Sequence, residues 1–171
     1  KCMLDVQLKD VVIACIGGFR FTGNPDSGIR DLVENLQDSL GPLGVPSNNI
    51  FYRSWNEGND SDPRYPPQKG DILREIKKRT SNPTYLALIG HSFGAWASCR
   101  VSRETSRTPD FIGLIDPVFG PDNSMQPEDN PRAIKLRNWT QSNGIEFFTG
   151  TPCTKAPIPC SSPRAGLACG Y

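Results

Sequence analysis

The sequence predicts an α/β fold, a mostly parallel sheet with helices on both faces, in a single domain over residues 1–171. Three observations lead there. Short apolar, β-branched runs recur along the chain. They lack the polar/apolar alternation of half-exposed strands, so they read as strands buried on both faces. Segments of helical periodicity lie between them, and strands alternating with helices imply parallel pairing. At 171 residues the chain also has the usual length of one compact domain.

The first run is VVIACI at 11–16, ending at Gly17-Gly18 and followed by a glycine-rich loop, GGFRFTGNPDSG. Ile29, Leu32, Val33, Leu36 and Leu40 then recur at helical spacing behind Ser27 as N-cap, with Gly41-Pro42 as the stop. IFYRSW at 50–55 predicts the second strand. The polar, proline-rich stretch from Asn56 to Gln68 predicts a surface loop, which could also cover a site as a lid. Ile72, Leu73 and Ile76 mark a second helix closed by Ser81-Asn82-Pro83. TYLALI at 84–89 is the third strand, Ala95 to about Arg103 the third helix, and FIGLI at 111–115 the fourth strand. Beyond Gly120 the pattern weakens to strand signals near Ala133–Trp139 and Ile145–Phe148, then an irregular Cys/Pro-rich tail over 151–171.

Composition excludes several classes. Lysine plus arginine total 19 against 18 acidic residues, which offers nothing to nucleic acid or an anionic membrane. No apolar run approaches the roughly 20 residues of a transmembrane helix. The start, KCMLDVQLKD, lacks the apolar core of a signal peptide, but a mature secreted chain would already have lost one. Six cysteines (Cys2, Cys15, Cys99, Cys153, Cys160, Cys169) are many for a reducing cytosol, so a secreted or extracytoplasmic location with disulfides is expected. Cys153, Cys160 and Cys169 would staple the tail. Cys15 and Cys99 fit either a bridge or a small buried residue. No C-x-x-C occurs and the sequence has one histidine, so no metal and no cofactor is expected.

The chemistry-bearing motif is Gly90-His91-Ser92-Phe93-Gly94, a G-x-S-x-G directly between a buried strand and a helix. Such a serine needs a sharp, strained turn, and glycines two residues to either side let strand and helix pass without Cβ clashes. The turn lifts the hydroxyl above the carboxyl ends of the strands, at a helix N-terminus. Here the chain resembles the α/β-hydrolase family, particularly its lipases and esterases, and the predicted sheet is of that type.

The resemblance implies catalytic Ser92, an oxyanion hole from the N–H groups of Phe19, in the Gly18-Phe19 loop, and Phe93, and elbow glycines Gly90 and Gly94. In lipases similar to the pancreatic type the acid ends the strand after the elbow helix in a Leu-Asp-Pro context. Leu114-Ile115-Asp116-Pro117 is close to that, which makes Asp116 the catalytic acid and Asp122 the fallback. A capping aspartate before proline would look the same. Phe21, Trp96 and Phe119, with Phe19 and Phe93, would favour an apolar acyl group in a small-molecule ester or acyl substrate, although aromatic residues there fit a core equally well.

A serine hydrolase also needs a base. His91 adjoins the nucleophile inside the elbow and should point away from it, so it reads as packing or orienting the turn. The family order, Ser, acid, His, places the base after Asp116, and no histidine follows it. The expectation is a chain lacking its C-terminal segment, with the histidine outside it, for example on a C-terminal peptide of the same precursor. The leading reading is a serine hydrolase of carboxylic esters working through an acyl-enzyme on Ser92. The alternative is a catalytically inactive hydrolase fold that binds a ligand or partner. A dinucleotide-binding domain ranks last, because GGFRFTG is not G-x-G-x-x-G.

Overall fold

The structure is a computed structural model, and it describes residues 7–19, 26–56 and 66–140. Five strands, β1 (Val11–Gly17), β2 (Ile50–Ser54), β3 (Tyr85–His91), β4 (Phe111–Ile115) and β5 (Lys135–Trp139), form one sheet in the order β2-β1-β3-β4-β5. Every pairing among them is parallel. Helices α1 (Ser27–Leu40), α2 (Lys69–Arg79) and α3 (Phe93–Ser102) cover it.

Strand β1 shows why both faces need helices. Val11, Ile13 and Cys15 pack with Ile29 and Val33 of α1 on one face. Val12, Ala14 and Ile16 pack with Ile72 and Ile76 of α2 and with Trp96 and Val101 of α3 on the other. A strand apolar at every position has no solvent face to offer. Connections β1–α1–β2 and β2–α2–β3 run in opposite directions along the sheet, so right-handed crossovers place α1 and α2 on opposite faces. The chain therefore reverses between β1 and β3. In open α/β sheets the crevice at the carboxyl ends of the strands flanking such a reversal is where ligands bind.

Several element boundaries differ from the sequence reading. The N-cap of α1 is Asp26, whose carboxylate accepts from Ile29 N, and Ser27 is the first helical residue. Strand β3 runs on through Gly90 and His91, and α3 begins at Phe93, because ladder and helix meet at Ser92 with no loop between them. β5 starts at Lys135, later than Ala133. The strand expected at Ile145–Phe148, most of the Asn56–Gln68 loop and the 151–171 tail lie outside the described residues.

At the β2 edge, Glu75 of α2 accepts from Lys78 Nζ (2.6 Å) and Arg79 Nη1 (2.9 Å) and forms an ion pair with Arg53 Nη2 at 2.9 Å. Asp71 forms ion pairs with Arg53, whose Nε lies 3.3 Å from Oδ2, and with Arg74. Arg53 stands on β2, so these pairs fasten α2 to the edge strand.

Candidate active site

Ser92 sits at φ 56°, ψ −124°, a backbone conformation costly for a residue with a Cβ and maintained only when its surroundings enforce it. Those surroundings are visible. Ser92 N donates to Ile115 O at 3.0 Å, and Ser92 O accepts from Ala95 N (3.0 Å) and Val118 N (3.2 Å). A Cβ on Gly90 would collide with the Gly94 carbonyl, and one on Gly94 with the Ile16 carbonyl. The two glycines thus let β3, α3 and β1 meet backbone to backbone. The N-terminus of α3, the positive pole of the helix, lies at the serine.

The loop leaving β1 closes on the same point. A Cβ on Gly18 would lie 2.6 Å from Ser92 Cβ, so this backbone rests directly against the serine. The rings of Phe19 and Phe93 turn away into an aromatic cluster, 6.1 Å apart edge to face, with Trp55 at 6.5 Å from Phe19 and 5.0 Å from Phe93.

Asp116 directly follows β4, whose Ile115 is in register with His91. The strand carrying it is thus the immediate neighbour of the strand carrying Ser92. It is buried, with φ 47°, and its N–H donates to Trp139 O at 2.6 Å, so its unusual backbone is fixed from β5. Asp122 is exposed, and its carboxylate caps a turn at Ser124 N (3.2 Å).

His91 has a definite partner. Its Nδ1 lies 2.5 Å from Oδ2 of Asp26, which is nearly inaccessible. The same Oδ2 accepts from Gly18 N at 3.3 Å, and Oδ1 from Ile29 N at 3.4 Å. With main-chain N–H groups already on both oxygens, the carboxylate acts as acceptor, so Nδ1 carries the proton. The backbone N–H of Asp26 in turn donates to Tyr52 Oη at 3.1 Å. No hydrogen bond joins His91 to Ser92 among the described residues.

Two of the residues expected to contact substrate are buried in the core cluster. Trp96 is 6% exposed; its indole N–H donates to Asp129 Oδ1 at 2.6 Å, and it stacks on Trp55 at 6.4 Å. Phe119 is 1% exposed in the same core. Trp96 is turned inward by α3 lying on the sheet, and Phe119, in the segment after β4, packs into the same cluster. Phe21 lies outside the described residues. Asp26 and Tyr52 escaped the sequence reading. An aspartate just before an apolar helical period was the signal for the first, but the adjoining serine satisfied the capping rule equally well.

Cys15 and Cys99 are buried free thiols. Burial raises the Cys15 thiol to about 12 and raises Cys99 further, with Asp129 adding to the effect, so neither is a nucleophile at neutral pH. The other four cysteines lie outside the described residues. No cluster of three or more His, Cys, Asp or Glu is arranged to hold a metal ion among the described residues, and no helix there is long and apolar enough to cross a membrane.

No protein-family model matches the sequence, and no curated protein matches it. Among solved structures, the chain is similar to a proposed hydrolase of the alpha/beta superfamily from Xanthomonas campestris pv. campestris. The two share 19% identity over 73% of this chain and 67% of that one, with a TM-score of 0.41.

Proposed function

We propose that this chain carries the nucleophile and acid of a serine hydrolase acting on carboxylic esters. The observation that carries this reading is the backbone of Ser92. A non-glycine residue at φ 56°, ψ −124° between a central parallel strand and a helix, at the reversal of the sheet, is a costly arrangement of the kind that positions a reactive serine.

In this mechanism an imidazole takes the Oγ proton as Oγ attacks the ester carbonyl carbon. The N–H groups of Phe19 and Phe93 stabilise the oxyanion of the tetrahedral intermediate. Its collapse breaks the C–O bond, and the departing alkoxide takes the proton from the imidazolium, leaving an acyl-enzyme on Ser92. Water repeats the sequence and releases the acid. Asp116 accepts a hydrogen bond from the second imidazole nitrogen and stabilises the cation. His91, bonded to Asp26, is not that imidazole, so the base belongs to a histidine outside these 171 residues. The cysteine content favours an extracytoplasmic setting.

The test is intact mass of the naturally produced protein before and after an alkyl fluorophosphonate, which phosphonylates activated serines. The reading requires one adduct that maps to Ser92 and is lost in Ser92→Ala. Absence of an adduct in fully folded material would leave a hydrolase-type fold that binds without turning over.

A further inference from the structure

The Asp26 carboxylate connects three parts of the fold that meet at the serine. It takes the first free N–H of α1 (Ile29), the N–H of Gly18 in the loop resting on Ser92, and Nδ1–H of His91, the residue before Ser92. A helix cap needs only the first of these. A carboxylate only 2% exposed is an expensive cap when asparagine or serine would serve as well. The other two bonds join the two backbones whose separation sets the oxyanion hole: Gly18 precedes Phe19, and His91 lies two residues before Phe93.

We propose that Asp26 and His91 are positioning residues, a carboxylate–imidazole tie that holds the Gly18-Phe19 backbone at a fixed distance from the Ser92 elbow. This rests on Ser92 being the nucleophile. The tie touches no reacting atom. It acts by keeping two N–H groups aimed at one point, where a displacement of about 1 Å costs on the order of a hundredfold in rate. It also accounts for a histidine beside the nucleophile, whose Nδ1 reaches the Asp26 carboxylate at the start of α1.

Asp26→Asn is the discriminating variant, because asparagine caps α1 as well as aspartate does but cannot accept from both Gly18 and His91 with full charge. The expected result is a fluorophosphonate labelling rate and a kcat for p-nitrophenyl butyrate each lowered about 10- to 100-fold, with KM and the melting temperature little changed. His91→Phe should show the same loss. His91→Asn, whose amide returns an N–H near the place of Nδ1, should recover most of the rate. The His91 Nδ1–H proton resonance, far downfield in the parent, should disappear in Asp26→Asn.

Asp26→Asn labelling at the parental rate, or His91→Asn and His91→Phe being equally impaired, would overturn the proposal while leaving the hydrolase reading intact. A parent protein that does not label at all would overturn both, even with the downfield resonance present. The tie would then be only structural.

Discussion

Gly18 is pressed against Ser92 so closely that no side chain fits between them. A methyl at position 18 would stand 3.2 Å from the serine Oγ and 2.8 Å from the carbonyl oxygen of His91, besides meeting Ser92 Cβ. Gly18→Ala must therefore displace either the β1 loop or the nucleophile. The expected outcome is a fluorophosphonate labelling rate lower by about a hundredfold, with a stability loss of about 1–3 kcal/mol from overpacking. Gly70→Ala is the control. It sits in α2 with nothing within 4 Å of the added methyl, and should stabilise by about 0.5–1 kcal/mol without changing the rate. Denaturant melts and labelling kinetics on both variants check this.

Asp116 and Asp122 share a loop but differ in setting: one buried beside the elbow strand, the other exposed and capping a turn. If Asp116 orients the base, Asp116→Asn should lower kcat by a factor on the order of 10⁴ in the natural enzyme, while Asp122→Asn stays within about twofold. Equal losses in the two, or the larger loss at position 122, would reassign the acid. Ester turnover with a chromogenic substrate is the measurement.

Much of this arrangement is legible in the sequence because the physics behind it is local. VVIACI and FIGLI have no polar face, so they can only be central strands. The glycines of GHSFG are demanded by three backbones crossing at one place. The tie between Asp26 and His91 spans 65 positions and exists only once α1 docks beside the end of β3. No period or spacing encodes it. For Trp96 and Phe119 the limit is chemical, since an aromatic ring suits a substrate wall and a core alike, and only the packing of α3 and of the segment after β4 distinguishes the two.

That distinction has a consequence at Trp96. Trp96→Phe removes the indole N–H from Asp129, which keeps Arg100 Nε at 2.6 Å and Gln126 N at 2.9 Å. The loss should be about 1–2 kcal/mol of stability, read from urea unfolding, and KM for short and long acyl esters should stay at the parental values. A KM that rises with acyl chain length in a variant of unchanged stability would return Trp96 to the substrate wall.

Acid stability should depend on Glu75. Hydrogen bonds from Lys78 and Arg79 hold its carboxyl at about 2, with Arg53 adding to the effect against the cost of burial. A folded pKa below the ordinary 4.5 means the ionised form is favoured by folding. The stabilisation is complete above the unfolded value and is lost as pH falls through 4.5 toward 2. Glu75→Gln should therefore melt below the parent at pH 7, and the difference should shrink steadily between pH 4.5 and 2 as the parental carboxyl takes up its proton. Salt should narrow it only partly, because Arg79 and Glu75 are both largely shielded from solvent. Thermal melts of the two proteins across that pH window decide the matter: a gap independent of pH would mean that Glu75 fastens α2 to β2 by packing and not by charge.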